Sequence, residues 1–70
     1  MSNVTKKDVA QVIYQAIKRL DKHESIFAAL DPGDYDGFEV RMVGTQLISI
    51  RIGSKSGPAR WFHVKVSEPQ

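Results

Sequence analysis

The chain has 70 residues, 41% hydrophobic and 26% charged, with ten Lys and Arg against eight Asp and Glu, a formal net charge of +2, and no cysteine. A stretch of this length is expected to form one domain, the lack of cysteine leaves no disulfide framework or thiolate zinc site in it, the composition argues against intrinsic disorder, and a surplus of two charges does not by itself make a polyanion binder. A domain this small buries only about 60% of the surface its unfolded chain exposes, so stability must come from a well-ordered core, from self-association or from a partner.

The first element is a helix. From Thr5 to about Lys22, the residues Val9, Val12, Ile13, Ala16, Ile17 and Leu20 recur at the spacing of one buried helical face. Lys6, Lys7, Gln11, Gln15, Lys18, Arg19 and Lys22 fall on the wet side, and Thr5 with Asp8 reads as a capping box. The stretch from His23 to Leu30 either extends this helix, because Leu20, Phe27 and Leu30 keep to its stripe, or forms a separate short turn capped by Ser25. Asp31-Pro32-Gly33 ends it, and turn chemistry continues to Gly37.

After Gly37 the hydrophobic period becomes two. Phe38, Val40 and Met42, then Ile48, Ile50 and Ile52, then Phe62, Val64 and Val66 mark three half-buried strands. Opposed residues of an antiparallel pair share a face, so a two-residue turn at Gly44-Thr45 would set Met42 against Leu47 and misalign the apolar rows. An odd loop or a bulge near Gly44, with Val43 opposite Leu47, aligns Met42 with Ile48, Val40 with Ile50 and Phe38 with Ile52. Continuing the meander sets Ile52 against Phe62, Ile50 against Val64 and Ile48 against Val66, with the helix covering all three rows. The expected fold is α+β: an N-terminal helix, with or without a short second helical segment, on a three-stranded antiparallel meander in the order α-β-β-β. One domain spans 5–67, between tails at 1–4 and 68–70.

The same register assigns the uncovered face, with rows Glu39–Arg51–His63 and Arg41–Ser49–Lys65 and with Trp61 across from Gly53. Two uses of this face compete. As a protein interface it offers Trp61, Arg51, His63, Lys65, Arg41, Leu47 and Val43, residue types that anchor contacts, beside a long proline-free edge strand from Arg60 to Ser67. As a nucleic-acid platform it offers Trp61 for base stacking, with Arg41, Arg51, Lys55, Arg60 and Lys65 for phosphates. The bland alternative is a Glu39–Arg51 cross-strand ion pair, a Trp61 that shields a neighbouring glycine and a solvated Lys65.

Other motifs point to ordinary structure. Gly53-Ser54-Lys55-Ser56-Gly57 has the ingredients of an anion nest but joins two strands and lacks the phosphate-loop pattern. Asp31, Asp34, Asp36 and Glu39 lack calcium-loop spacing and read as turn residues. His23-Glu24-Ser25 are adjacent and so point in different directions on a helix, and His63 lies near Arg51 without a cleft. Gly57-Pro58-Ala59-Arg60-Trp61-Phe62-His63-Val64-Lys65-Val66 resembles the Gly-Pro-x-x-x-x-Phe-x-Val-x-Val stretch of double-stranded-RNA-binding domains, which also begin with a helix and three strands. In that family the stretch opens the second strand and a lysine-bearing helix follows. Here it falls in the third strand, one residue shorter before the valines, and no site is carried over.

The sequence therefore predicts a non-enzymatic binding module with no catalytic, cofactor or metal site and no small-molecule substrate. Its partner is protein, a second copy included, and the alternative is a salt-sensitive nucleic-acid binder. No apolar run approaches the roughly 18 residues of a membrane span, and Met1-Ser2-Asn3-Val4 opens neither a signal peptide nor a myristoylation site. A cytoplasmic location is expected.

Overall fold

The computed structural model describes residues 3–21 and 24–69. Helix α1 (Lys6–Lys18) is followed by strands β1 (Tyr35–Val43), β2 (Leu47–Ser54) and β3 (Arg60–Lys65). The strands pair antiparallel in the order β1-β2-β3, and α1 packs on the sheet, the α-β-β-β architecture expected from the hydrophobic periods.

The capping box forms at the start of α1. The Thr5 hydroxyl accepts from the Asp8 N–H at 3.3 Å, and the Asp8 carboxylate accepts from the Thr5 N–H at 2.9 Å. The Thr5 N–H and the Thr5 hydroxyl, both donating to the Asp8 carboxylate at 2.9 Å, hold that carboxyl below its ordinary pKa. The helix ends at Lys18, before the expected Lys22, and Lys22 and His23 lie outside the described residues. Its last turn tightens, with Leu20 N–H donating to the Ile17 carbonyl at 3.1 Å. Just beyond, the Asp21 side chain accepts from the Glu24 N–H at 3.2 Å, a local bond that competes with helix continuation.

Of the two readings for the next stretch, the structure adopts the separate turn. The Ser25 hydroxyl accepts from the Phe27 N–H at 3.0 Å, and Ala28, Ala29 and Leu30 each donate to the carbonyl three residues earlier. This run sets Phe27 against Phe38 of β1, with ring centroids 5.3 Å apart and planes tilted by 55°.

The β1–β2 register is the expected one: Phe38 faces Ile52, Val40 faces Ile50, Met42 faces Ile48 and Val43 faces Leu47. The three-residue loop is opened by Gly44 at φ 71°, a conformation that favours glycine. A bulge sits at the other end of β1. Between Tyr35↔Ser54 and Phe38↔Ile52, Asp36 and Gly37 together oppose Gly53, with Gly37 at φ 83°. The two backbones close so tightly there that a Cβ on Gly53 would run into the Asp36 carbonyl.

The β2–β3 register differs from expectation by two residues. Ile50 faces Phe62, Ile48 faces Val64 and Ile52 faces Arg60. A two-residue slip leaves every side chain on its own face, so hydrophobic alternation alone does not distinguish these pairings. The observed one shortens the hairpin connection between Ile52 and its partner by two residues. Within β3, on one face, the Arg60 guanidinium lies 5.4 Å from the Phe62 ring centroid.

Coverage by the helix is also narrower than expected. Ala10, Phe38, Ile48 and Ile50 form the buried apolar core, and α1 packs on β1 and, less extensively, on β2. A helix is about 10 Å across and neighbouring strands are about 4.8 Å apart, so one helix shades roughly two strands. β3 lies outside that shadow. The contact line along α1 also turns from the expected stripe. Ala10 is buried and Ile13, Tyr14 and Ile17 are half-buried, whereas Val9, Val12 and Ala16 are exposed. A small residue at the point of contact lets the helix approach the sheet closely. The radius of gyration is 13.9 Å, above the roughly 11 Å of a compact chain of this length, as a thin two-layer core implies.

Candidate functional site

The candidate site is β3, the edge strand beyond the helix. Its backbone alternates in direction. The Val66 N–H donates to the Gln46 carbonyl at 2.9 Å, in step with the pairs Ile48↔Val64 and Ile50↔Phe62. Successive residues of an antiparallel strand turn their polar groups to opposite sides. Arg60, Phe62, Val64 and Val66 therefore direct N–H and C=O towards β2, and Trp61, His63 and Lys65 direct theirs to the open edge.

Both faces of this strand carry exposed apolar surface. On the helix side Phe62 and Val64 remain 44% and 38% exposed, although their partners Ile50 and Ile48 are buried. On the opposite, outer face Trp61 is 52% exposed. Large apolar groups beside unpaired backbone donors and acceptors are the two components that strand addition uses, one for specificity and one for affinity.

The outer face brings together all seven residues singled out for a protein interface, in rows that differ from those expected. The rows are Glu39–Arg51–Trp61, Arg41–Ser49–His63 and Val43–Leu47–Lys65. Trp61 thus lies across from Arg51 and not from Gly53, whose missing side chain accommodates the bulge. Glu39 forms its ion pair with Arg41 of its own strand, at 3.7 Å, and not with Arg51. Ser49 is buried, because a short side chain on the central strand sits between Arg41 and His63.

The set considered for nucleic acid does not form one patch. Arg41, Arg51, Trp61 and Lys65 share the outer face, Lys55 lies in the β2–β3 loop, and Arg60 projects on the helix side against Phe62. The loop's donors are engaged as well. Asp34 accepts from the Ser54 hydroxyl at 2.7 Å and from the Ser56 N–H at 2.9 Å, while its carbonyl accepts from the Lys55 N–H at 2.8 Å. Three of the donors that an anion nest would offer are thereby taken, the Ser54 hydroxyl and Ser56 N–H by the Asp34 carboxylate and the Lys55 N–H by the Asp34 carbonyl. The bonds from Ser56 and Ser54 hold the Asp34 carboxyl below its ordinary pKa.

Where this clamp meets the 25–30 turns, a cleft of about 230 Å³ opens between Phe27, Leu30, Tyr35, Pro58 and Phe62. The buried Tyr35 hydroxyl has no hydrogen-bond partner among the described residues. Among those residues no helix is long and apolar enough to cross a membrane, and no three His, Cys, Asp or Glu gather where they could hold a metal ion.

Sequence reasoning missed Phe62 and Val64 as exposed residues and Asp34 as a clamp. For the first, the available signal was width: one helix and three strands leave one strand over. No protein-family model, curated protein or solved structure matches the chain.

Proposed function

We propose that the protein is a non-enzymatic protein-binding module that takes a partner strand along the open edge of β3. The observation that carries this reading is the combination on one strand of free edge amides at Trp61, His63 and Lys65 with exposed Trp61, Phe62 and Val64 side chains. A partner strand would continue the ladder through those amides, and its side chains would pack beside Phe62 and Val64 on one face and Trp61 on the other. Arg51, Arg41 and His63 form the polar surround on the outer face, with Leu47 and Val43 extending its apolar part.

His63→Pro separates this reading from its competitors. The His63 N–H points away from β2, so proline there removes an edge donor and leaves the β2–β3 ladder intact. Selection of displayed peptides on the immobilised protein is expected to enrich sequences with alternating apolar residues that bind at least tenfold more weakly to His63→Pro. Enriched peptides that bind both proteins equally would overturn the edge as the site. A mixed-sequence single- or double-stranded DNA that binds with a steep salt dependence, reduced by Arg51→Ala or Lys65→Ala, would instead support the nucleic-acid alternative.

A further inference from the structure

Resting on that reading, we infer that the strand β3 receives is β3 of a second copy, paired antiparallel about a two-fold axis at His63 to give a six-stranded sheet. Backbone direction fixes this register. Only Trp61, His63 and Lys65 present polar groups at the edge, so edge residues must meet edge residues. Pairings that set an odd-numbered residue against an even-numbered one are thereby excluded. Of the registers that remain, the one centred on His63 uses all three residues of both copies: His63 meets His63 of the second copy, and Trp61 meets Lys65 of the second copy in both directions. The same two-fold axis puts both helices on one side of the sheet.

The side chains agree with that register. On the helix side Phe62 lies opposite Val64 of the second copy, and Val64 opposite its Phe62. The two apolar groups left uncovered by α1 thus cover their symmetry mates.

Each β3 carries Arg60, His63 and Lys65 and no acid, so pairing two copies brings cations together, and this register keeps Lys65 from facing Lys65 or Arg60 of the second copy. Lysine faces the tryptophan ring, a favourable arrangement. Arg60 faces Val66 of the second copy, and continuing the strand by two residues brings Glu68 of the second copy diagonal to Arg60. The registers centred on Phe62 or Val64 pair fewer edge amides within β3 and set Phe62 or Val64 against itself. The contact is one strand long, at the small end of specific interfaces, so the dimer forms reversibly with concentration.

The chain has no cysteine, which allows a direct test of the register. Opposed residues of a hydrogen-bonded antiparallel pair have Cα atoms about 5.5 Å apart, within disulfide reach. Single variants Trp61→Cys, His63→Cys and Lys65→Cys, all at exposed outer-face positions, are oxidised mildly beside sedimentation equilibrium of the unmodified protein. The expected result is a concentration-dependent dimer, rapid disulfide dimers for His63→Cys, slow ones for Trp61→Cys or Lys65→Cys alone, and rapid ones when those two are mixed. His63→Pro should sediment as a monomer. Equal rates for the three single variants would overturn the register. A monomer throughout that still binds displayed peptides in a His63→Pro-sensitive way would overturn the second copy as partner and leave the edge reading standing. Self-association unaffected by His63→Pro, with no disulfide at 63, would overturn the second copy at β3, and displayed-peptide binding equally unaffected by His63→Pro would overturn the edge reading with it.

Discussion

The two hairpins of this sheet share a central strand but differ in how they are used. In β1–β2 the helix-side residues Phe38, Ile48 and Ile50 are buried and Val40, Met42 and Ile52 half-buried, and a bulge at Asp36–Gly37 locks the strands together over Gly53. In β2–β3 the hydrophobic alternation is equally regular, yet every residue of β3 is exposed. Identical periodicity thus produces a core in one place and a free surface in the other. The difference is one of width, since a single helix cannot shade a third strand.

The cross-strand pair Ile48 and Val64 gives the sharpest contrast. Ile48→Ala should cost about 2–5 kcal/mol, the range for a buried aliphatic truncated to alanine, and in so small a domain most of the folded population. Val64→Ala, on the same face one strand away, should cost about 1 kcal/mol or less. Thermal or urea unfolding measures both, and equal costs would mean that β3 is covered after all.

Next in size is Gly53→Ala, which acts where β1 and β2 meet. Its Cβ has no space beside the Asp36 carbonyl, so a loss of about 1–3 kcal/mol is expected, as for overpacking. An unchanged unfolding midpoint would show that the bulge opens freely.

Asp34 joins the two halves through the β2–β3 loop. Its folded pKa is depressed by hydrogen bonds from Ser56 and Ser54. The stability it contributes is therefore present above the unfolded value near 3.8 and is lost as pH falls through the lower folded value. Asp8, depressed by its bonds to Thr5, contributes with the same sign. The melting temperature should fall between pH 5 and pH 2, and Asp34→Asn should flatten that fall without abolishing it. An identical pH profile for Asp34→Asn would remove the clamp from the explanation.

Trp61→Ala should have the smallest effect on folding, about 0.5 kcal/mol or less, and a large effect on partner binding. A Trp61→Ala protein that unfolds as readily as Ile48→Ala would place the ring in the core.

Much of this fold was legible because its signals are local and periodic. Thr5 and Asp8 announced the helix start, Asp31-Pro32-Gly33 announced the turn, and the rows Phe38–Ile52, Val40–Ile50 and Met42–Ile48 followed from parity and an odd loop at Gly44. Parity could not resolve the two-residue slip that puts Arg51, and not Gly53, across from Trp61. Nor could it locate Ala10 as the contact point, because Ala10, Ile13, Tyr14 and Ile17 keep the same spacing as the more apolar stripe from Val9. The seven outer-face residues were found because they alternate with the core. The same alternation marks Phe62 and Val64 as core, and Asp34 is hidden because its partners, Ser54 and Ser56, lie about twenty residues away.

Amide hydrogen exchange, followed residue by residue across a concentration series, tests the free β3 edge most directly. In dilute protein the Phe62 and Val64 amides should be protected by the β2 ladder, while those of Trp61, His63 and Lys65 exchange rapidly. Raising the concentration, or adding a selected peptide, should slow the second group alone. Protection that arises instead on α1 or β1, or Trp61, His63 and Lys65 amides already protected in dilute solution, would contradict β3 as the binding edge.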